Sequence, residues 1–301
     1  MPLYIFGIIA AFTATIFHAW SNIFDGYFSS KVFKNLTHLV FFSALVNLIF
    51  IPIVLLVDFP KVLSFRMYSI VFLISLLDLL YVYPYYWALR RIDTSIVCSL
   101  FEIGKIFVPL FAFLFVGEHL ATIQYIGFFL IILSSIFLTL DLKKLRFDKA
   151  FFFMLVVSII LTLQSVLYKY MFDQGVSWGS AVVWKTVFDI IILTPILLYL
   201  TNRKHLAESF KKVVAYKWLF LLNQFLGWAG ESANTLALFL IPISIVKGIT
   251  GTQSIFVLVF GVLFAKNYKH IFHEKVERKD IWKKAALLSI TVIGVIFITV
   301  L

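Results

Sequence analysis

The chain has 301 residues, and its composition excludes a water-soluble protein. It is 62% hydrophobic and 14% charged, with a formal net charge of +11 and a mean hydropathy of +1.02. Soluble proteins are about half apolar and about a quarter charged, so this chain lacks the polar side chains that would cover a soluble body of its size. Because the apolar residues are spread along the whole chain, a single anchor on a soluble enzyme is excluded as well.

Motifs typical of several enzyme classes are absent from the sequence. It contains no G-x-x-x-x-G-K-[ST] string, no G-x-S-x-G string and no cysteine–histidine cluster with metal-site spacing. We therefore expect neither an enzyme nor a cofactor or metal. The one cysteine, Cys98, lies in an apolar stretch and is expected to be a buried, unreactive thiol. The basic residues lie in short loops, a pattern that favours anionic lipid over nucleic acid as the partner.

Ten apolar stretches follow one another along the chain, each approaching the roughly 20 residues that cross a bilayer. They cover residues 2–24, 36–57, 66–89, 94–116, 122–140, 150–172, 178–200, 217–241, 243–265 and 281–301. The sequence therefore predicts an all-α polytopic membrane protein with ten transmembrane helices. A basic hinge at 142–149 divides it into five-helix halves, 1–141 and 150–301. The longest polar segments, 201–217 and 266–284, are predicted to be loops.

The two halves share short strings at a constant offset. The Ser-Ile-Val string at 95–97 recurs at 244–246, and the Ile-Phe-Val string at 106–108 recurs at 255–257. Apolar identities are common in such a chain, but a run of them at one offset indicates duplication. An odd number of helices per copy places the copies in opposite orientations, and inverted repeats with a substrate site at their interface are a recurring transporter design.

Several motifs in the first half resemble the EamA-type families of the drug/metabolite transporter superfamily. They are Ala-Leu-Arg-Arg-Ile-Asp-Thr-Ser at 88–95, Gly-Glu-His-Leu-Ala-Thr at 117–122 and Gln-Tyr-Ile-Gly at 124–127. The resemblance implies a ten-helix membrane transporter built from two repeats. The chain departs from the family pattern at Lys105, where proline is usual, and at 265–266, where Ala-Lys replaces a second Gly-Glu.

Eight charged residues lie inside the predicted helices beyond their first four residues. They are Asp78, Glu102, Asp189, Glu231, Lys105, Lys169, Lys185 and Lys247. An isolated charge at the bilayer centre costs on the order of 3 kcal/mol. Lys169 and Lys247 lie near helix ends, from which a lysine side chain can extend to the lipid headgroups. The other six are expected to face a partner or a water-filled cavity.

Spacing pairs four of these charges on their own helices. Glu102 and Lys105 are three residues apart, and Lys185 and Asp189 are four apart, so each pair shares a helix face. Local neutralisation is one interpretation of both pairs. For Glu102 and Lys105, which lie beside Pro109, we favour a position on the wall of a central cavity.

Asp78 and Glu231 have no opposite charge one helical turn away. Each therefore needs a partner on another helix, a bound substrate or a proton. They are the candidates for proton coupling.

Polar residues recur at helical spacing on helices 1, 3, 4, 6, 8 and 9. Hydrogen bonding between packed helices would explain any one of them, but stripes on corresponding helices of both halves favour a shared cavity. The predicted cavity residues are His18, Asn22, Asp78, Tyr81, Tyr85, Glu102, Lys105, Gln164, Lys185, Asp189, Trp228, Glu231 and Gln253. Helices 5 and 10, which have no charge in their cores, are predicted to face lipid.

Five aromatic residues cluster near one end of helix 3: Tyr81, Tyr83, Tyr85, Tyr86 and Trp87. Such a cluster is typical of an interfacial belt. It also fits an aromatic wall for an organic cation or a flat ring.

The leading function is secondary transport of a small polar or charged metabolite by alternating access, coupled to protons. A lipid or lipid-linked-sugar flippase of the same fold and a non-transporting scaffold remain alternatives. The unpaired Asp78 and Glu231 argue against a scaffold, which needs no internal carboxylates. The expected partners are a small-molecule substrate and the lipid bilayer, and both a monomer and a homodimer remain open.

Loop charge predicts the orientation. The loops after helices 1, 3, 5, 7 and 9 contain 20 basic residues, whereas the opposite side has only Lys61 and Arg66. The positive-inside rule therefore places the five basic loops in the cytoplasm and both termini outside, in a multi-pass protein of the plasma (inner) membrane.

Cysteines introduced at 266–284 in a Cys98-free background test this orientation. We expect them to resist membrane-impermeant thiol reagents in intact cells, because the positive-inside rule places this loop in the cytoplasm. A cysteine introduced at Lys61 is the control for the opposite side and should react. Rapid labelling of the 266–284 loop from outside would reverse the orientation.

Overall fold

The computed structural model describes residues 2–92, 94–139, 149–200, 203–265 and 281–299. Its helices are α1 (Pro2–Tyr27), α2 (Leu36–Asn47), α3 (Ile51–Val57), α4 (Phe65–Leu89), α5 (Thr94–Lys105), α6 (Val108–Val116), α7 (Thr122–Thr139), α8 (Lys149–Asp173), α9 (Trp178–Leu200), α10 (Arg203–Ala215), α11 (Lys217–Leu240), α12 (Ile243–Thr250), α13 (Gln253–Ala265) and α14 (Ile281–Thr299). A π-helical turn, Phe28–Val32, follows α1, and a 3₁₀ turn, Leu48–Phe50, joins α2 to α3.

These helices confirm the predicted class, an all-α polytopic membrane protein. No strand occurs in the ranges that the structure describes. Each of the ten predicted stretches coincides with one helix or with consecutive helices. Within the described ranges six spans are long and apolar enough to cross a membrane, and α5 with α6 makes a seventh if the pair, bent by 42°, is counted as one.

The structure differs from the sequence prediction in three stretches and one loop. The second, fourth and ninth stretches are each divided: α2 from α3, α5 from α6, and α12 from α13. Pro52 and Pro109 lie in the first turns of α3 and α6, where a missing N–H costs nothing but prevents continuation of the preceding helix. Hydropathy gives the length of an apolar stretch but does not show whether the helix within it is continuous, so it did not predict these breaks.

The polar segment after α9, predicted as a loop, contains helix α10. This helix packs on α2 and α11, and a hydrogen bond of 2.7 Å joins Ser209 Oγ of α10 to His38 Nδ1 of α2. Phe210 and Val214 are exposed beside its basic residues. An amphipathic helix of this kind is too polar for a hydropathy profile to detect, and it suits a membrane surface.

The most extensive helix contacts join one helix of the first half to one of the second. They are α1 with α11, α7 with α14, and α4 with α8. The first and eighth spans, α1 and α11, correspond to the sixth and third spans of the other half, α8 and α4, and both pairs are in contact. The fifth and tenth spans, α7 and α14, correspond to each other. This is the pairing expected of equivalent copies. The predicted boundary at 142–149 lies outside the described residues except for Lys149, and stays a prediction.

Helices α7 and α14, the fifth and tenth spans, pack on each other at the periphery. Ser134 Oγ and Thr291 Oγ1 lie 2.7 Å apart between them. Both helices expose apolar side chains on their outer faces, among them Phe129 on α7 and Ile293 and Ile296 on α14. Such faces suit contact with lipid.

The Gly-Glu turn after α6 joins the two halves. Gly117 adopts a left-handed φ of 71°, which glycine tolerates without a Cβ penalty, and Glu118 N–H donates to Ala112 O at 3.1 Å to close the helix end. The Glu118 carboxylate then accepts the N–H groups of Ile243 at 2.8 Å and Ser244 at 3.0 Å. It therefore caps α12 of the other half, whose own N-cap residue is a proline with no side-chain hydrogen bond.

Replacing Glu118 with alanine should lower the thermal unfolding midpoint in detergent, by an amount equivalent to about 1–2 kcal/mol, because two N–H groups of α12 lose their charged acceptor. The exposed neighbour variant His119→Ala is the control. Equal midpoints for the two variants would contradict a capping role.

Candidate functional site

A polar cavity of about 310 Å³ lies between side chains of both halves. Its lining comes from α1, α2, α4, α5, α8, α9, α11, α12 and α13. The lining includes twelve of the thirteen predicted residues, namely His18, Asn22, Asp78, Tyr81, Tyr85, Lys105, Gln164, Lys185, Asp189, Trp228, Glu231 and Gln253. Glu102 is the exception, since it is buried behind the lining with 1% of its surface exposed.

Lys185 of α9 lies between two carboxylates. Its ammonium contacts Asp78 of α4, and its Nζ is 2.9 Å from Asp189 Oδ2 one turn away on α9. Gln164 Nε2 of α8 also donates to Asp78 Oδ1 at 2.7 Å. Asp78, which has no partner on its own helix, is thus compensated from the second half.

Lys105 is held by its own helix and by the end of α12. Its Nζ lies 3.0 Å from Glu102 Oε2 and donates to Thr250 O at 2.8 Å. The C-terminal end of a helix carries partial negative charge, so a lysine there is stabilised. Of the predicted pair, only Lys105 lines the cavity.

Close packing against α8 sets the position of the last turn of α5. A Cβ atom on Gly104 would lie 2.4 Å from the Ser158 carbonyl carbon, so only glycine permits this approach. Thr162 Oγ1 donates to Gly104 O at 3.2 Å across the same contact. This packing directs Lys105 towards α12.

Glu231 of α11 has a weaker partner than Asp78 and Asp189 have. His18 Nε2 of α1 lies 3.8 Å from Glu231 Oε2, which is too long for a hydrogen bond. Within the described ranges no lysine lies within 4 Å of this carboxylate, in contrast to Asp78, Glu102 and Asp189. Glu231 is therefore the cavity acid with the least compensation from lysine and hydrogen-bond donors together.

Asp25 is a cavity residue that the sequence prediction missed. It is 8% exposed and accepts hydrogen bonds from Asn223 Nδ2 at 2.8 Å and from the hydroxyls of Tyr85 at 3.1 Å and Tyr86 at 3.3 Å. The Tyr85 hydroxyl also lies 2.8 Å from Asn22 Oδ1, so its one proton serves one acceptor at a time. Extending the polar stripe of α1 by one turn, past residue 24, would have found Asp25.

Lys247 was expected to reach the membrane surface, but its side chain lines the cavity. Its Nζ is 3.4 Å from Asn234 Oδ1 of α11. Lys247 lies near the start of the ninth span, but the other residues of α12 are all buried, so its side chain faces the interior.

The aromatic cluster of α4 divides between the two predicted settings. Tyr81, Tyr85 and Tyr86 line the cavity. Tyr83 is 51% exposed, and Trp87 packs edge-on against Phe153. Three tyrosines therefore form part of an aromatic wall, while the other two aromatic residues point elsewhere.

A bundle of membrane-spanning helices around a buried, charged cavity defines the class as a polytopic membrane protein with an internal polar site. Residues 5–140 match the model of the EamA-like transporter family, which confirms the resemblance to the drug/metabolite transporter superfamily. The protein is therefore an integral, multi-pass membrane protein, and its residues 5–140 are similar to membrane transporters of the drug/metabolite type.

A solved structure has a similar fold. It is described as "Crystal structure of protein" and superposes with a TM-score of 0.66 at 12% sequence identity, covering 97% of this chain and 95% of that chain. At this identity the likeness shows the fold alone, across both halves. No curated protein sequence matches the chain.

Replacing Lys185 with methionine should destabilise the protein, because Asp78 and Asp189 would then face each other without a cation. We expect a loss of about 2–3 kcal/mol, below the value for fully buried pairs because these side chains partly face the cavity. The measurement is thermal unfolding in detergent. Adding Asp78→Asn should restore part of the loss.

The control is Lys169→Met, which removes a lysine from an end of α8 where its partner, Asp173, is 41% exposed. If Lys185→Met and Lys169→Met lower the midpoint equally, Lys185 does not hold α4 and α9 together.

Proposed function

We propose that the protein is a secondary transporter that moves a small polar or charged metabolite across the plasma (inner) membrane by alternating access, coupled to protons through Glu231, with its basic loops in the cytoplasm. The observation that carries the proposal is the charged cavity, whose lining side chains come from both halves. Transporter sites of this kind lie at the interface of two repeats, near the middle of the membrane.

Contacts between the halves on both sides of the cavity support alternating access. At the end where α1 begins, Asp58 Oδ2, after α3, accepts the N–H of Gly179 of α9 at 2.6 Å. At the opposite end, Lys212 Nζ of α10 donates to Val32 O at 2.6 Å, and the rings of Phe28 and Phe220 pack edge to face at 5.2 Å. Opening one set while the other stays closed would expose the cavity to one side only.

Glu231 is the acid best placed to exchange a proton. The charged groups that act on it are Asp78 of α4, Lys185 and Asp189 of α9, and Lys247 of α12, besides His18 of α1. Asp78 and Asp189 already share Lys185. A carboxyl without its own cation in a low-dielectric site is stabilised by binding a proton. Rocking of the halves would change its distance from His18 and Asp78, which belong to the first half. Asp78 is the alternative proton carrier.

Replacing Glu231 with glutamine tests the coupling role. In proteoliposomes screened with a metabolite panel, the variant should lose accumulation driven by a pH gradient, because glutamine cannot release a proton. It should keep substrate exchange between equal internal and external pools, because glutamine mimics the protonated acid. A pH dye inside the vesicles measures the accompanying proton flux.

Glu208→Gln, on the exposed face of α10, is the matched control and should behave as the unmodified protein. Unchanged pH-driven uptake by a well-expressed Glu231→Gln protein would remove this residue from coupling and leave Asp78 as the carrier. Loss of expression alone would instead indicate that Glu231 holds α11 in place.

A further inference from the structure

Lys247 differs from the other lysines inside the membrane-spanning helices. Lys105 and Lys169 each have a carboxylate within 3.1 Å, and Lys185 contacts two. In the part of the chain that the structure describes, no carboxylate lies within 4 Å of the Lys247 ammonium, and its hydrogen-bond partner is the neutral amide of Asn234 at 3.4 Å. Among the described residues, this cation therefore lacks a counter-ion.

The surroundings of Lys247 make an anion favourable. The charged groups that act on it are Lys105 and Glu102 of α5 and Glu231 of α11. Lys105 and Glu102 form an ion pair whose charges largely cancel, so Glu102 does not serve as the counter-ion of Lys247. An uncompensated charge inside a membrane-spanning bundle is unfavourable, and pairing with an anion in the cavity would offset that cost.

The geometry leaves Lys247 free to bind. An ammonium has three donors, and Asn234 engages one of them from the α11 side. The side chain lines the cavity, so the remaining donors are available to an occupant. Lys105 is less suitable, because Glu102 and the Thr250 carbonyl already engage its ammonium.

We propose that Lys247 is the anion-binding group of the cavity and that the substrate is a small organic anion whose carboxylate or phosphate group pairs with its ammonium. The proposal rests on the transport function proposed above. A cavity of about 310 Å³ admits a small metabolite.

The acids of the cavity do not prevent entry of an anion. Asp78 and Asp189 share Lys185. Asp25 accepts hydrogen bonds from Asn223 and Tyr86, and from Tyr85 when that hydroxyl does not donate to Asn22. The remaining carboxyl is Glu231, which in the proposed cycle carries a proton. Lys247 and Glu231 would thus load an anion and a proton into the same cavity.

Ligand binding to the purified full-length protein in detergent tests the anion site apart from transport. The probes are lactate and malate as carboxylates, glycerol 3-phosphate as a phosphate monoester, lactamide as a neutral analogue and choline as a cation, each at constant ionic strength. We expect at least one anion, but neither lactamide nor choline, to raise the thermal unfolding midpoint. Whichever anion raises the midpoint shows whether the site binds a carboxylate or a phosphate group.

Two variants of the site should weaken that binding. Lys247→Met should raise the dissociation constant at least tenfold, equivalent to about 1.4 kcal/mol. Asn234→Asp should do the same without removing the lysine, because it places a carboxylate beside the ammonium and supplies the missing counter-ion. Lys247→Arg should retain binding, and Lys169→Met, outside the cavity, is the control.

Binding of the anion to Lys247→Met and Asn234→Asp with the original dissociation constant would overturn the proposal. A response to choline or lactamide alone, or to no anion at all, would overturn it too. Anion binding without uptake in proteoliposomes would leave the site intact and contradict transport. Uptake of a cation or neutral solute that Lys247→Met does not impair would leave transport intact and contradict the anion site.

Discussion

The cost of placing charge inside a membrane governs this structure more than any other constraint. A chain with 62% hydrophobic residues forms helices and crosses the bilayer without specific contacts, but a buried charge must find a partner, water or a proton. The structure gathers these charges around one cavity. Lys105, Lys185 and Lys247 reach it from α5, α9 and α12, and acids reach it from α1, α4, α9 and α11.

Compensation across the halves fixes their relative position. Asp78 of the first half contacts Lys185 of the second, and Lys105 of the first half donates to Thr250 O of the second. Glu118 repeats the arrangement at the bundle end by capping α12. Any movement that opens the cavity must keep these charges compensated, so the halves have a small number of acceptable arrangements rather than a continuum.

Local features of the structure were predictable from the sequence, whereas contacts between distant segments were not. Hydropathy predicted the ten stretches, and one-turn spacing predicted the Glu102–Lys105 and Lys185–Asp189 pairs. The partner of Asp78 could not be predicted, because Lys185 is far away in sequence. The interior position of Lys247 depends on the burial of α12 among the other helices, which hydropathy does not predict. Whether the predicted cavity residues contact substrate stays a prediction.

The way in which each charge is compensated separates structural from functional roles. A charge that is fully satisfied within the protein, such as Lys105 between Glu102 and Thr250, stabilises the fold whether or not a solute is bound. A charge without a partner in the protein is stabilised only when a solute or a proton binds beside it in the cavity. In the described ranges Lys247 meets this criterion among the lysines, and Glu231 comes closest to it among the cavity acids. They lie on consecutive helices, α11 and α12, so one movement of this helix pair would change the environment of both. Binding of a solute and release of a proton would then be linked by the same displacement, which is the physical requirement for coupled transport.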